Sequence, residues 1–270
     1  ATLTYVLTLE PSVSFWDCGE FIASALKMQV VHQPGAPLFL MLQRFFSVFA
    51  FGDVTKIAYW MNIGSAISSG ATILFLFWTI TALAKKTLVK AGEVLTHGQL
   101  ISIMGAGAVG ALAYTFSDSF WFSAVESEVY AQSSLFTAIV FWGILKWEAH
   151  ADEPRADRWL LFIAYIMGLS IGIHLLNLLT IPAIAFIYYF KRSEKVTTAG
   201  ILKTLASGIL ILGVIQYGII QYLVSFGAYF DLFFVNTLGL GFGTGVLFFA
   251  LLVIGLLVWG IRYSIKHQKK

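Results

Sequence analysis

Long apolar runs constrain this chain most, because several of them approach or exceed the roughly twenty residues that an α-helix needs to cross a bilayer. Polar breaks separate the runs, and the chain opens with a short apolar remnant at 2–9. Composition agrees, since 59% of the 270 residues are apolar and only 11% are charged, whereas ordinary globular chains carry about a quarter charged residues. The sequence therefore excludes a soluble globular protein and predicts a multi-pass helical membrane protein.

The expected fold class is all-α, a polytopic transmembrane bundle of about seven to eight spans. After the remnant, the expected spans are 57–84, 100–116, 129–147, 159–173, 178–190, 201–224 and 245–261. The stretch 160–190 is also compatible with one long helix kinked near Pro182. No internal repeat or linker divides the chain, so we expect a single transmembrane domain over 1–270 whose N-terminal helix is truncated.

Lys and Arg are distributed unevenly between the two sides of this topology. Fourteen of the seventeen fall on one side, and the other side holds Lys27, Arg44 and Lys56. Because positively charged loops stay in the cytoplasm, we expect a protein of the cytoplasmic (inner) membrane whose segment 11–56 faces outward. The cations form no patch interleaved with exposed aromatic residues, which excludes nucleic acid as a partner.

A single cysteine, Cys18, excludes an internal disulfide bond and a cysteine-based metal site. We do not expect it to act as a nucleophile, because no histidine lies beside it in sequence and nothing visible lowers its pKa.

The first outward segment is long enough to carry short helices that are re-entrant or lie at the membrane interface. Asp17 and Glu20 are three residues apart, so on a helix they share one face near the membrane boundary, where an unpaired carboxylate is costly. A structural explanation is also open for Asp17: Ser14 as N-cap with Asp17 at N3 would form a capping box.

The run HisGlnProGlyAlaPro at 32–37 predicts the end of one helix and the start of another. Backbone amides at such a helix start favour an anion such as phosphate, although a plain helical corner is an equal alternative. Arg44 lies in an otherwise apolar helix, where a guanidinium needs a carboxylate, a lipid head group or a phosphate. His32, Arg44 and Lys56 are the expected phosphate partners.

Two further clusters fall on the same predicted side of the membrane. Glu126 and Glu128 precede an apolar run, and they either join a site or only favour the positive end of the following helix. His174 and Asn177 are three residues apart in apolar surroundings, and they either line a site or represent an ordinary buried histidine with its neighbour. If the bundle gathers these clusters, the chemistry that suits them is general-base catalysis on a hydroxyl, with cations and amides holding the phosphate of a lipid.

Three motifs resemble the GT-C superfamily of membrane glycosyltransferases. They are ProSerValSerPheTrpAspCysGlyGluPheIle at 11–22, HisGlnProGlyAlaProLeuPhe at 32–39 and ValGluSerGluValTyrAla at 125–131. They resemble in particular a bacterial domain-of-unknown-function family related to the protein O-mannosyltransferases and to a vertebrate transmembrane O-mannosyltransferase. Gln33 departs from the HisProProGly turn of that family.

The resemblance implies an inverting transferase that moves a sugar, mannose being the expected one, from a polyprenyl-phosphate donor to an acceptor hydroxyl outside the cytoplasmic membrane. The acceptor would be a protein, with Ser or Thr as its target, or a glycan of the cell envelope. The base of such enzymes maps onto Asp17, with Glu20 as its catalytic partner, and the soluble region that often follows the membrane domain is not recognisable here.

The competing classes are a secondary transporter and a noncatalytic membrane subunit of an envelope assembly. A transporter would show internal repeats and broken helices near the midplane, and in a subunit the polar clusters would be helix caps. No ligand spacing identifies a metal, and a divalent cation held by carboxylates is left open.

Overall fold

The computed structural model describes residues 1–90 and 92–267, in which the regular structure is helical and no β-strand occurs. The α-helices, in chain order, are α1 (Thr2–Leu7), α2 (Cys18–Lys27), α3 (Pro37–Ser47), α4 (Ile57–Leu88), α5 (His97–Thr115), α6 (Asp118–Ala124), α7 (Val129–His150), α8 (Arg158–Ile171), α9 (Ile181–Arg192), α10 (Thr198–Gly213), α11 (Leu223–Asn236) and α12 (Thr244–His267). Short 3₁₀ segments cover Val48–Ala50, Val54–Lys56 and Leu175–Thr180, and a π-helical segment covers Val214–Tyr222. The all-α prediction is confirmed.

Within the described residues, five helical stretches are long and apolar enough to cross a membrane. They are Val54–Leu88, His97–Thr115, Val129–His150, Thr198–Asn236 and Thr244–His267. The prediction of a multi-pass helical membrane protein is confirmed, whereas the number of spans stays a prediction.

The two short spans expected at 159–173 and 178–190 correspond to two short helices, α8 and α9. Helix α8 has 14 residues and α9 has 12, and at about 1.5 Å per residue neither reaches the roughly 30 Å of a bilayer core. The break between them is local, because His174 accepts a hydrogen bond from the backbone N–H of Leu176 at 3.1 Å and begins the 3₁₀ segment. Pro182 then lies in the first turn of α9.

The span expected at 201–224 continues through the π-helical segment and α11 to Asn236. Asp231 is buried in α11. Its carboxylate accepts hydrogen bonds from the backbone N–H groups of Gly243 at 3.1 Å and Gly245 at 3.0 Å. These are donors that the start of α12 cannot satisfy within the helix, so the acidic side chain stabilises the α11–α12 hairpin.

Contacts between residues divide the chain into two compact units, Ala1–Leu205 and Ala206–Lys270. The prediction of a single transmembrane domain over 1–270 stays a prediction. In the first unit, a buried apolar cluster lies under α2 and α3 and includes Phe21, Phe39, Met61, Val129 and Ile173. This cluster supports α2 and α3 against α4 and α7.

The two ends of α4 and α7 differ in charge. At the beginning of α4, the Asn62 side-chain amide donates to the backbone carbonyls of Glu10 at 2.9 Å and Ser12 at 3.1 Å. At the other end of α4, Lys86 pairs with Glu148 near the end of α7. The buried acid Glu128 at the start of α7 and the cation Lys86 near the end of α4 therefore lie at opposite ends of this helix pair.

The α11–α12 hairpin yields a stability prediction. A methyl group at Gly245 would overlap the carbonyl of Phe230 and the backbone of Asp231, whereas one at Gly255, also on α12, would meet no atom within 4 Å. We expect Gly245→Ala to lower the thermal unfolding temperature of the purified protein clearly, because backbone atoms cannot move aside cheaply. Gly255→Ala is the matched control and should unfold like the wild type. Equal unfolding temperatures for the two variants would contradict this packing.

Candidate active site

Asp17 immediately precedes α2 and occupies its N-cap position, but its side chain makes no capping hydrogen bond. The capping-box explanation, with Ser14 as N-cap and Asp17 at N3, is therefore wrong, because the helix begins at Cys18. The side chain of Asp17 is 56% exposed. A carboxylate that is neither buried nor used as a cap keeps its oxygen lone pairs available to a substrate.

Glu20 and His32 form the most tightly bonded polar pair near Asp17. One carboxylate oxygen of Glu20 accepts the backbone N–H of His32 at 2.7 Å, and the other lies 2.8 Å from His32 Nδ1. These hydrogen bonds lower the pKa of Glu20, and the side-chain hydrogen bond to Glu20 raises the pKa of His32. Sequence spacing paired Glu20 with Asp17, whereas the hydrogen bonds of Glu20 go to His32.

The other ring nitrogen of His32 is directed at Asp17, with Nε2 lying 3.9 Å from Oδ2. The three side chains thus form an array in the order Glu20, His32, Asp17. Its imidazole lies between two carboxylates.

Asp17 and His32 open onto a cleft of about 140 Å³ that also reaches Glu128 and His174. The turn 33–36 and the aromatic side chain of Tyr130 complete its polar and aromatic wall. Four of the predicted site residues, which come from three separate stretches of sequence, therefore meet at one cleft.

Glu128 is buried and begins α7, where its carboxylate accepts the backbone N–H of Val129 at 2.7 Å. Burial raises the pKa of Glu128, and the hydrogen bond from Val129 opposes that shift. The helix-start explanation thus describes one of its contacts, but Glu128 also lines the cleft. The carboxyl of Glu128 keeps acceptor capacity for a hydroxyl in the cleft beyond its bond from Val129.

Glu126 is also buried, and its Oε2 has no hydrogen-bond partner among the described residues. Burial raises the pKa of Glu126, and hydrogen bonding with Ser14 and Cys18 opposes that shift. The backbone N–H of Glu10 donates to the carbonyl of Val125 at 3.2 Å, which holds the two stretches together. Glu126 supports the wall behind Asp17 and is not among the described cleft-lining residues.

His174 contributes a neutral imidazole to the cleft. Its Nδ1 accepts the N–H of Leu176, so the neutral ring carries its proton on Nε2. Burial lowers the pKa of His174, which favours that neutral form. Its ring centroid lies 5.5 Å from that of Tyr130.

Three predicted site residues have other partners. Arg44 donates to the hydroxyl of Ser47 at 3.2 Å, and Lys56 lies 3.3 Å from Asp53. Asn177 is fully buried and donates to the hydroxyl of Ser170 at 3.0 Å, which links the 3₁₀ segment to α8. None of the three belongs to the described lining of the cleft.

The backbone amides at the start of α3 are also engaged. Leu38 and Phe39 donate to the carbonyl of Gly172 at 2.7 and 3.2 Å. The sequence left open whether these amides hold a phosphate or belong to a plain helical corner, and they join α3 to the end of α8. A methyl group on Gly172 would lie 3.0 Å from the Leu38 side chain, so the close approach favours glycine.

Sequence reasoning missed two aromatic residues of this region. Tyr130 lines the cleft, and only its position after the GluSerGluVal motif could have indicated it. Trp16 precedes Asp17, has a φ of 60° and is 85% exposed. A positive φ at a bulky residue cannot be read from composition or periodicity.

One oxygen or nitrogen from each of Asp17, Glu20 and His32 lies within 4.8 Å of the others. Both oxygens of Glu20 and Nδ1 of His32 are already hydrogen-bonded within this group, and we assign no metal to it. Exposed acidic groups commonly form such clusters without an ion.

The fold and the cleft define a multi-pass helical membrane protein with a carboxylate–imidazole site at one end of its bundle. Residues 17–197 match the family model for the "Protein O-mannosyl-transferase TMEM260 N-terminal domain". The chain belongs to this family, and the match includes the residues that line the cleft.

Two curated relatives carry related names. "Protein O-mannosyl-transferase tmem260" of Dictyostelium discoideum is 25% identical, over 76% of this chain and 24% of that protein. "Protein O-mannosyl-transferase TMEM260" of Mus musculus is 26% identical, over 73% of this chain and 26% of that protein. The chain thus spans about a quarter of the length of these relatives. No solved structure matches it.

The buried wall of the site yields a prediction about Cys18. Burial raises the pKa of its thiol, and the nearby carboxylates of Glu126 and Glu128 raise it further. Since the thiolate is the reactive form, we expect a maleimide to label native Cys18 at least about a hundredfold more slowly than an exposed thiol. The exposed reference is Phe15→Cys in a Cys18→Ser background. Comparable labelling rates in the folded state would contradict the burial of Cys18 behind the cleft.

Proposed function

We propose that this chain is the membrane part of a glycosyltransferase of the O-mannosyltransferase kind. It transfers one sugar, mannose being the expected one, from a polyprenyl-phosphate donor to a Ser or Thr hydroxyl of an exported protein. The single observation that carries the proposal is the cleft in which Asp17 lies beside His32, Glu128 and His174. Membership of a family named for protein O-mannosyl transfer supports the reaction class.

In this reaction Asp17 is the general base. Its carboxylate takes the proton of the acceptor hydroxyl while the hydroxyl oxygen forms a bond to the anomeric carbon of the donor. The bond between that carbon and the phosphate oxygen breaks, and the polyprenyl phosphate leaves with the bonding electron pair. Attack opposite the leaving group inverts the anomeric centre. The exposed, uncapped state of Asp17 supports this role.

The remaining polar groups of the cleft suit a sugar ring. His174 offers its Nε2–H as a donor, and Glu128 and Tyr130 offer further hydrogen-bonding atoms. A volume of about 140 Å³ is well below the roughly 300 Å³ at which pockets for larger ligands begin. This size favours transfer of a monosaccharide over transfer of a preassembled oligosaccharide.

The outward orientation of the cleft and the location in the cytoplasmic membrane belong to the same proposal. The cationic ends of α4 and α9 support it, because Lys86 pairs with Glu148, and Lys191 lies 2.8 Å from Asp152. Glu128, which begins α7 at the cleft end, is acidic, and Lys56, which precedes α4 there, is paired with Asp53. Cationic ends belong on the cytoplasmic side, which leaves the cleft facing outward.

The decisive experiment is transfer from radiolabelled polyprenyl-phosphate mannose to exported proteins by the purified full-length protein. We expect Asp17→Asn to lower kcat by at least about a hundredfold, because general-base catalysis contributes about 10²–10⁴-fold. The matched control is Asp118→Asn, an exposed acid on α6 outside the described lining of the cleft, which should keep wild-type kinetics. Undiminished transfer by Asp17→Asn would remove the mechanism. Failure of the wild type with every donor would favour the transporter or the noncatalytic subunit.

A further inference from the structure

A donor phosphate needs a positively charged partner in this cleft, and the structure limits which residues can be that partner. The described residues that line the cleft include no lysine or arginine. Arg44 and Lys56 bond to Ser47 and Asp53 instead. Two of the three groups expected from the sequence to hold the phosphate therefore have other partners, and His32 is the third.

The two histidines of the cleft differ in their hydrogen bonding. His174 accepts an N–H at Nδ1, so protonation there would break a bond, and burial lowers its pKa. His32 presents Nδ1 to the carboxylate of Glu20, so protonation of His32 preserves the bond and adds a charge-assisted contact. Of the two histidines that line the cleft, His32 is the one whose hydrogen bonding favours the protonated, cationic form.

We propose that Glu20 is a positioning residue that holds His32 as an imidazolium with Nε2–H aimed into the cleft, where it binds the phosphate of the donor. This inference rests on the proposed function and specifies how the same site recognises its donor. The two hydrogen bonds from His32 to Glu20, one from the backbone and one from the ring, fix both the position and the rotation of the imidazole. A ring held in this way does not have to be ordered when the donor binds.

The charges that face His32 all favour this state. Glu20 lies at 2.8 Å, Asp17 at 3.9 Å and Glu128 across the cleft, while His174 contributes no charge in its neutral form and Tyr130 is uncharged as a phenol. The side-chain hydrogen bond to Glu20 is the largest cause that raises the pKa of His32, and Asp17 and Glu128 add to it. A donor phosphate would add further negative charge at Nε2.

The direction of the pH dependence follows from this shift. Because the pKa of His32 is raised, the imidazolium persists to a higher pH than in a free histidine, and it is lost as the pH rises through that raised pKa. Donor binding should therefore weaken on the alkaline side. His32 keeps its proton throughout the reaction, since the acceptor proton goes to Asp17 and the phosphate leaves with the electron pair. The imidazolium therefore binds the phosphate through its charge and its Nε2–H, and it transfers no proton.

Glu20→Gln tests the inference, because glutamine carries no charge and keeps one acceptor oxygen for the backbone N–H of His32, while its amide NH₂ facing Nδ1 favours the neutral imidazole. We expect the alkaline limb of kcat/KM for polyprenyl-phosphate mannose to move down by about one pH unit. Near neutral pH we expect the KM for this donor to rise about tenfold, with a smaller change in kcat. In His32→Gln the histidine-dependent limb should disappear, since an amide does not titrate in this range.

The chain offers a matched control on a second histidine–carboxylate pair. His150 Nδ1 lies 2.9 Å from Glu153 Oε1, and both side chains are exposed like those of Glu20 and His32. Glu153→Gln removes the same charge from the same kind of hydrogen bond outside the cleft, and it should keep the wild-type pH profile. A shift of equal size in Glu153→Gln would show that net charge, not Glu20, sets the profile, and would overturn the inference.

Histidine titration by NMR on the full-length, ¹⁵N-histidine-labelled protein provides a readout that needs no activity. The His32 signal is the one lost in His32→Gln, and we expect it to titrate at lower pH in Glu20→Gln than in the wild type. An unchanged His32 titration and an unchanged pH profile in an active protein would overturn this inference alone. A wild type that transfers from no polyprenyl-phosphate sugar would overturn the proposed function and, with it, the phosphate role of His32.

Discussion

The hydrogen bonds from the start of α3 to the carbonyl of Gly172 join the two halves of the cleft. On one side lie Asp17, α2 and the turn that carries His32, and on the other lie the end of α8 and His174. Both contributing amides, those of Leu38 and Phe39, are donors that a helix start leaves unsatisfied, and the carbonyl of Gly172 lies at a helix end. Backbone groups that would otherwise be costly in an apolar environment thus define the geometry of the site. Gly172 permits the close approach of α3 to the end of α8, so the same residue serves the packing of these helices and the geometry of the cleft.

The class of protein was predictable from the sequence because a lipid environment requires every backbone polar group to be hydrogen-bonded within the protein. Only helices satisfy their backbone hydrogen bonds within one segment, so apolar length alone indicates the long helices α4, α5, α7 and α12. Apolar length alone does not decide whether α8 and α9 cross the membrane, because a histidine-capped turn interrupts this apolar stretch. Asp231 shows the limit of hydropathy as a guide, because this acidic residue lies buried in α11, where backbone amides of its own hairpin satisfy it. A polar residue that finds hydrogen-bond partners nearby can lie inside an apolar helix, which hydropathy alone does not indicate.

For the site, the sequence identified residue types better than partners. Asp17, His32, Glu128 and His174 were expected to converge, and they line one cleft. Glu20 was paired with Asp17 because three-residue spacing places two side chains on one helical face, yet Asp17 precedes the helix and Glu20 bonds to His32, which is twelve residues away. A contact across a turn has no periodicity to reveal it. Arg44 was expected at a phosphate because a lone guanidinium needs a partner, and a serine three residues on supplies one.

The surface of α3 bears on how a lipid-linked donor reaches the cleft. One face of this helix is buried through Phe39 and Leu40, and the opposite face exposes Met41 and Phe45. Eleven residues at about 1.5 Å each are too short to cross a bilayer, and an apolar face exposed on such a helix suits a position along the lipid boundary. The turn that contains His32 directly precedes α3. Under the proposed function, a polyprenyl chain lying along the exposed face of α3 would bring its phosphate to the helix end where the imidazole of His32 lies, while the acceptor hydroxyl reaches Asp17 from water. The lipid-linked donor and the water-soluble acceptor would thus approach the cleft from different sides.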